Sequence, residues 1–88
     1  MTAERVAKIT QRLQEQFEPT EIAVRDDSKH HVGHAGAASG AGHFHVRIRA
    51  SAFAGMPTLA RHRAIYAAVD SMMGSDIHAL SIDAAASE

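Results

Sequence analysis

Residues 43–49, HFHVRIR, alternate without a break. Phe44, Val46 and Ile48 fall on one side of an extended chain, and His43, His45, Arg47 and Arg49 on the other. Successive side chains of a strand point to opposite faces, so this segment reads as a strand with one buried and one solvated face. Its apolar side demands a covering layer. Two more strands are expected. Residues 21–26, EIAVRD, place Ile22 and Val24 on one face, and residues 77–83, IHALSID, give Leu80 and Ile82 one parity.

The covering layer comes from segments of helical period. Val6, Ile9, Leu13 and Phe17 form a stripe over residues 3–17. Thr2 suits the N-cap, Glu4 the positive end of the helix dipole, and Pro19 ends the segment. Ser51 is expected to cap a short turn over residues 52–54 that Gly55 closes. Pro57 suits the first turn of a second long helix. Leu59, His62, Ile65, Tyr66, Val69, Met72 and Met73 then keep a 3–4 spacing as far as Gly74. The order helix, strand, strand, short helix, helix, strand implies an α+β fold. Its three-stranded sheet carries the helices on one face, and a right-handed crossover makes the last two strands parallel. The expected core unites Leu13, Phe44, Val46, Ile48, Ile65, Val69, Leu80 and Ile82.

At 88 residues the chain has room for a single core, so one domain is expected over residues 1–88, ordered over residues 3–84 with a frayed tail. No apolar run approaches the roughly 18–20 residues that span a bilayer. No secretory h-region opens the chain, so a cytoplasmic location is the default expectation. With no cysteine, neither disulfides nor thiolate ligands can come from this chain. The formal net charge is −1, which argues against a protein whose main task is gripping nucleic acid.

Histidine is the outlier. There are seven, and five of them lie between residues 30 and 45; ordinary usage would give about two in the whole chain. His30, His31 and His34 sit in DDSKHHVGHAGAASGAG, residues 26–42, a segment rich in Gly, Ala, Ser and His that joins two strands. So long a loop in so small a domain points to function. Three imidazoles within five residues can capture Zn²⁺, Ni²⁺ or Cu²⁺, but with no defined geometry in the pattern the capture expected from the residues alone is adventitious. His78 opens the last strand, where it can serve as a ligand or hydrogen-bond the backbone. His62 shares the apolar stripe of its helix and reads as a structural, buried imidazole. His43 and His45 share the solvated sheet face with Arg47 and Arg49. Arg61 and Arg63 flank His62 on its wetter sides, where they can meet a partner or phosphate. No P-loop, nucleophile elbow or paired-carboxylate pattern occurs, so enzymatic activity is not expected.

Three segments together resemble the BolA family: DDSKHHVGHAG, GHFHVRIRASAFAGMPTLARHRAIYAAV and IHALSI. The most specific part is a strand followed by Phe53-x-Gly55 and then Arg61-His62-Arg63. The resemblance runs from about residue 4 to 84. It implies an α-β-β-α-α-β fold related to the KH domain of the second type, in agreement with the pattern above. It also implies a non-enzymatic protein that pairs with a monothiol glutaredoxin and shares a 2Fe–2S cluster with it and its glutathione. No cofactor is expected in the isolated chain. By the same resemblance His78 and His34 become the cluster ligands, with His31 and His30 as neighbouring substitutes. Some bacterial members of the family are transcriptional regulators, so DNA bound through Arg47, Arg49, Arg61 and Arg63 is the alternative. The tetrapeptide Gly33 to Gly36, G-H-A-G, lies between strands, whereas the nucleic-acid clamp of a KH domain joins two helices. An apo homodimer is left open.

Overall fold

The structure, a computed structural model, describes residues 2–27 and 42–87. Helix α1 (Thr2–Phe17) leads into β1 (Glu21–Asp26). Strand β2 (Gly42–Arg49) is followed by a 3-10 turn at Ser51–Phe53 and by α2 (Thr58–Ala68). A second 3-10 turn, Asp70–Met72, precedes β3 (Ile77–Ala85). The sheet order is β1-β2-β3, with β1 antiparallel and β3 parallel to the central strand. This is the expected α+β architecture.

Ile9 and Leu13 of α1, Phe44, Val46 and Ile48 of β2, and Ile65 of α2 have no exposed surface, nor do Val69 and Ile77. Val6, Phe17, Ile22, Val24, Leu80 and Ile82 pack against that cluster from its margins. Phe53 drops into the same core and meets Phe17 with ring centroids 4.9 Å apart. Gly55 follows at φ +76°, a conformation that side-chain-bearing residues rarely adopt. The Phe53-x-Gly55 pattern is therefore an anchor and a turn, and its physical role is structural. The turn begins after Ala50, and no side chain caps it, so Ser51 does not serve as the expected cap.

The second long helix departs from its expected stripe. It begins after Pro57 and ends at Ala68, and the Val69 N–H divides between the Ile65 and Tyr66 carbonyls at 3.3 Å each. Met72 therefore reaches the core from a 3-10 turn, whose period of three rotates it away from an α-helical stripe. The buried side of α2 runs through Ile65 toward Val69, while Leu59 is 61% and Tyr66 37% exposed. His62, expected to be buried on that stripe, is half-buried instead. Its ring makes no hydrogen bond to any described residue. The apolar residues of α2 lie all round the helix, so periodicity could not single out its inner side.

Candidate functional site at one end of the sheet

Strand β1 runs antiparallel to β2, and β3 runs parallel to it. One end of the sheet therefore carries the exit from β1 and the entries to β2 and β3. At that end the Asp27 N–H donates to the His43 carbonyl at 2.7 Å, and the Gly42 N–H to the Asp76 carbonyl at 3.0 Å. The segment 28–41 leaves and returns here. His30, His31 and His34 lie in it, outside the described residues.

The entry to β3 is firmly held. The Met72 carbonyl accepts from the Asp76 N–H at 2.9 Å, and the Gly74 N–H donates to the Ile77 carbonyl at 2.9 Å. Gly74 takes φ +84° to make the turn. Asp76 also receives Arg5 of α1 at 3.4 Å. The pairing with β2 then slips by one residue. Gly42 opposes Ile77, but His43 opposes Ala79. His78 is the residue left over, and it is exposed, whereas its neighbour Ile77 is wholly buried. An unpaired residue of this kind re-aims a side chain out of the regular alternation. It also explains how Ile77 and Leu80, three apart, both reach the core.

Two side chains steady the strand beyond His78. The His43 ring lies 3.1 Å from the Ser81 hydroxyl through Nε2, and the Tyr66 hydroxyl donates to the Leu80 carbonyl at 3.3 Å. Neither contact is readable from the sequence, which puts His43 on a solvated face and Tyr66 on the apolar stripe of its helix. The register of β2 on β3 is what brings Ser81 to His43. Among the described residues, no three His, Asp or Glu side chains gather into a group that could hold a metal ion.

This architecture and its residues have known counterparts. A family model for BolA-like proteins matches residues 13–88. The chain belongs to the BolA-like family. SufE-like protein 1 of Arabidopsis thaliana, chloroplastic/mitochondrial, is 39% identical over 80 residues, covering 85% of this chain but only 22% of that protein's length. The solved BolA domain of Arabidopsis SufE1 superposes with a TM-score of 0.83 at 38% identity, over 93% of this chain and 91% of that one. A relative from Escherichia coli K12, the DNA-binding transcriptional regulator BolA, is 33% identical over 75 residues, 85% of this chain and 69% of that one.

The arginines of this BolA-like domain do not form one patch. Arg47 pairs with Glu21 on β1, and Arg49 with Asp83 on β3 at 3.2 Å. Asp83 is held below the usual carboxylate range, first by the hydrogen bond from Arg49 and then by the positive charge of Arg49 and Arg47. Arg49 also donates to the Asp83 carbonyl at 3.0 Å. Arg61 turns inward from α2 and donates to the Ala84 carbonyl at 3.0 Å, with its Nε buried and without a partner among the described residues. It ties α2 to the far end of β3. Arg63 alone of the four is both exposed and without an ion pair to a described residue. No helix among the described residues is long and apolar enough to cross a membrane.

Proposed function

We propose that this BolA-like chain is a non-enzymatic partner protein that shares a 2Fe–2S cluster with a monothiol glutaredoxin. His78 is one ligand and a histidine of the 28–41 segment the other, His34 first, with His31 or His30 as substitutes. The partner contributes a cysteine thiolate and its glutathione a second. The observation that carries the reading is the placement of His78. It is exposed and unpaired in register on a fixed strand entry, at the sheet end where the histidine-rich segment leaves and returns. Imidazole nitrogen can replace thiolate on an iron of a 2Fe–2S centre, so a chain without cysteine has the donors for half of such a site. A rigid ligand loses little freedom on binding, and a partner that completes the set can join from the open side. The test is anaerobic co-purification with the host's monothiol glutaredoxin, followed by visible circular dichroism of the complex. A cluster spectrum that His78→Ala leaves unchanged in shape and lifetime rules the assignment out.

A second reading, a DNA-binding regulator, draws on the name of the E. coli relative. The engaged state of Arg47, Arg49 and Arg61 weighs against it, because each would have to leave an internal partner to meet phosphate. Binding should then be weak and fall steeply with salt. Nanomolar, sequence-selective binding at physiological ionic strength would reverse the order of the two readings.

A further inference from the structure

The two edges of the sheet differ. On the β3 side, α2 places Tyr66 on the Leu80 carbonyl and Arg61 on the Ala84 carbonyl, so side chains occupy that edge. On the β1 side no described residue places a side chain on the backbone of Ile22 or Val24. The Asp27 N–H bonds the His43 carbonyl in register with the pairs Arg25↔His45 and Ala23↔Arg47. Odd-numbered residues therefore hold the hydrogen-bonded positions against β2, and alternation turns the peptide groups of Ile22 and Val24 outward. No backbone hydrogen bond outside the sheet reaches Ile22 or Val24 among the described residues. Their side chains are half-buried, while Phe44, Val46 and Ile48 on the next strand are wholly covered. An open edge of this kind is a template for another strand.

The sequence of β1 says which strand fits. A second β1 laid antiparallel about a two-fold axis through Ala23 sets Ala23 against its own copy. Ile22 then faces the partner's Val24, and the outward peptide groups of these two residues supply the hydrogen-bonded pairs. The small Ala23 sits at the close, non-hydrogen-bonded position. On the open face Glu21 meets the partner's Arg25, twice by symmetry. Each of those groups already has an intramolecular partner, Glu21 in Arg47 and Arg25 in Asp27. The new contacts extend these pairs into an unbroken row of alternating charge across the axis. We infer that β1 is a self-complementary edge through which two copies of this chain join into one six-stranded sheet. This stands independently of the cluster reading, because none of its residues is a proposed ligand.

A single strand pair buries less than the roughly 1,200 Å² of a stable interface, so the dimer should be a concentration-dependent equilibrium. Opposite charges across a strand pair attract and like charges repel. Glu21→Arg sets Arg against Arg in the homodimer, and Arg25→Glu sets Glu against Glu. Each should weaken self-association by about tenfold or more. Mixed one to one, the two variants place Arg against Glu at both sites, and the dimer should return. Sedimentation equilibrium of the wild type, each variant and the mixture reads this directly. Circular dichroism melting of each variant confirms that it is folded. Slower amide exchange of Ile22 and Val24 at high protein concentration is the matching local signal. A wild type that stays monomeric at millimolar concentration overturns the proposal. So do single variants that associate like the wild type, or a mixture that stays monomeric.

Discussion

The two faces of the sheet are written by alternate residues of the same strand, and they obey different physics. Phe44, Val46 and Ile48 have no exposed surface and face α1 and α2. His43, His45, Arg47 and Arg49, one position along in each case, face outward and meet Glu21, Ser81 and Asp83. On the covered face stability comes from exclusion of water, which scales with apolar area. On the open face charges are matched in pairs, but exposed pairs are screened and contribute little. Folding should therefore be governed by one parity of β2 and surface chemistry by the other.

The two faces differ most at adjacent residues. Ile48→Ala should cost about 2–5 kcal/mol, the transfer of the side chain plus the cavity it leaves. Arg47→Ala, one residue away, should cost less than about 1 kcal/mol. Urea denaturation of both variants reads the difference. A cost for Ile48→Ala below about 0.5 kcal/mol would mean that the two faces are not distinct in energy. The same contrast extends to α2. Ile65→Ala should be destabilising on the scale of Ile48→Ala, whereas His62→Ala should have a small effect, because its ring is half-buried and bonds to no described residue.

That last pair marks where sequence stops being legible. The strands could be read because a period of two leaves no ambiguity about sides, and α1 because Val6, Ile9, Leu13 and Phe17 form one stripe. In α2 the apolar residues surround the helix. Which of them face inward is decided by contacts far away in sequence, such as Arg61 on Ala84 and Tyr66 on Leu80, and by the change to a 3-10 turn at Asp70. His62 thus looked buried on spacing alone. At the candidate site, alternation and the parallel crossover bring the start of β3 beside the start of β2. The register slip that leaves His78 unpaired could not be read, because it depends on how Ile77 and Leu80 both reach the core. The choice among His30, His31 and His34 has no periodic signal behind it at all.

The open face has a smaller, pH-dependent signature. The Asp83 carboxyl is held below its ordinary range, chiefly by the hydrogen bond from Arg49. A group whose pKa is depressed on folding stabilises the fold above its unfolded value, and that contribution fades as pH falls through the folded value. Stability should therefore decline on acidification below about pH 4, near the unfolded carboxylate value, and Asp83→Asn should flatten part of that decline. Urea midpoints measured from neutral to acid pH for both proteins test it. An identical slope in the two would show that the pair with Arg49 is not formed in solution.

The smallest effect on folding is expected at the residue on which the functional reading depends most. His78 is exposed, and the register gives it no partner on β2. The strand entry is held by Gly42, Met72, Gly74 and Asp76 through backbone groups that a substitution at His78 leaves in place. His78→Ala should thus change stability by no more than the roughly 0.5 kcal/mol usual for surface positions. On the proposed function, the same substitution should remove the visible circular dichroism of a complex with a monothiol glutaredoxin, because it would delete the proposed donor on the strand. His34→Ala should instead alter the spectrum and hasten cluster loss, since His31 and His30 stand close by in the chain. The two readouts separate cause from collapse. If His78→Ala lowered the melting temperature by many degrees, loss of the cluster signal would report unfolding, and the residue would belong to the framework. If stability held and the signal vanished, the open end of the sheet would be a ligand site in its own right, built on a frame that does not need it.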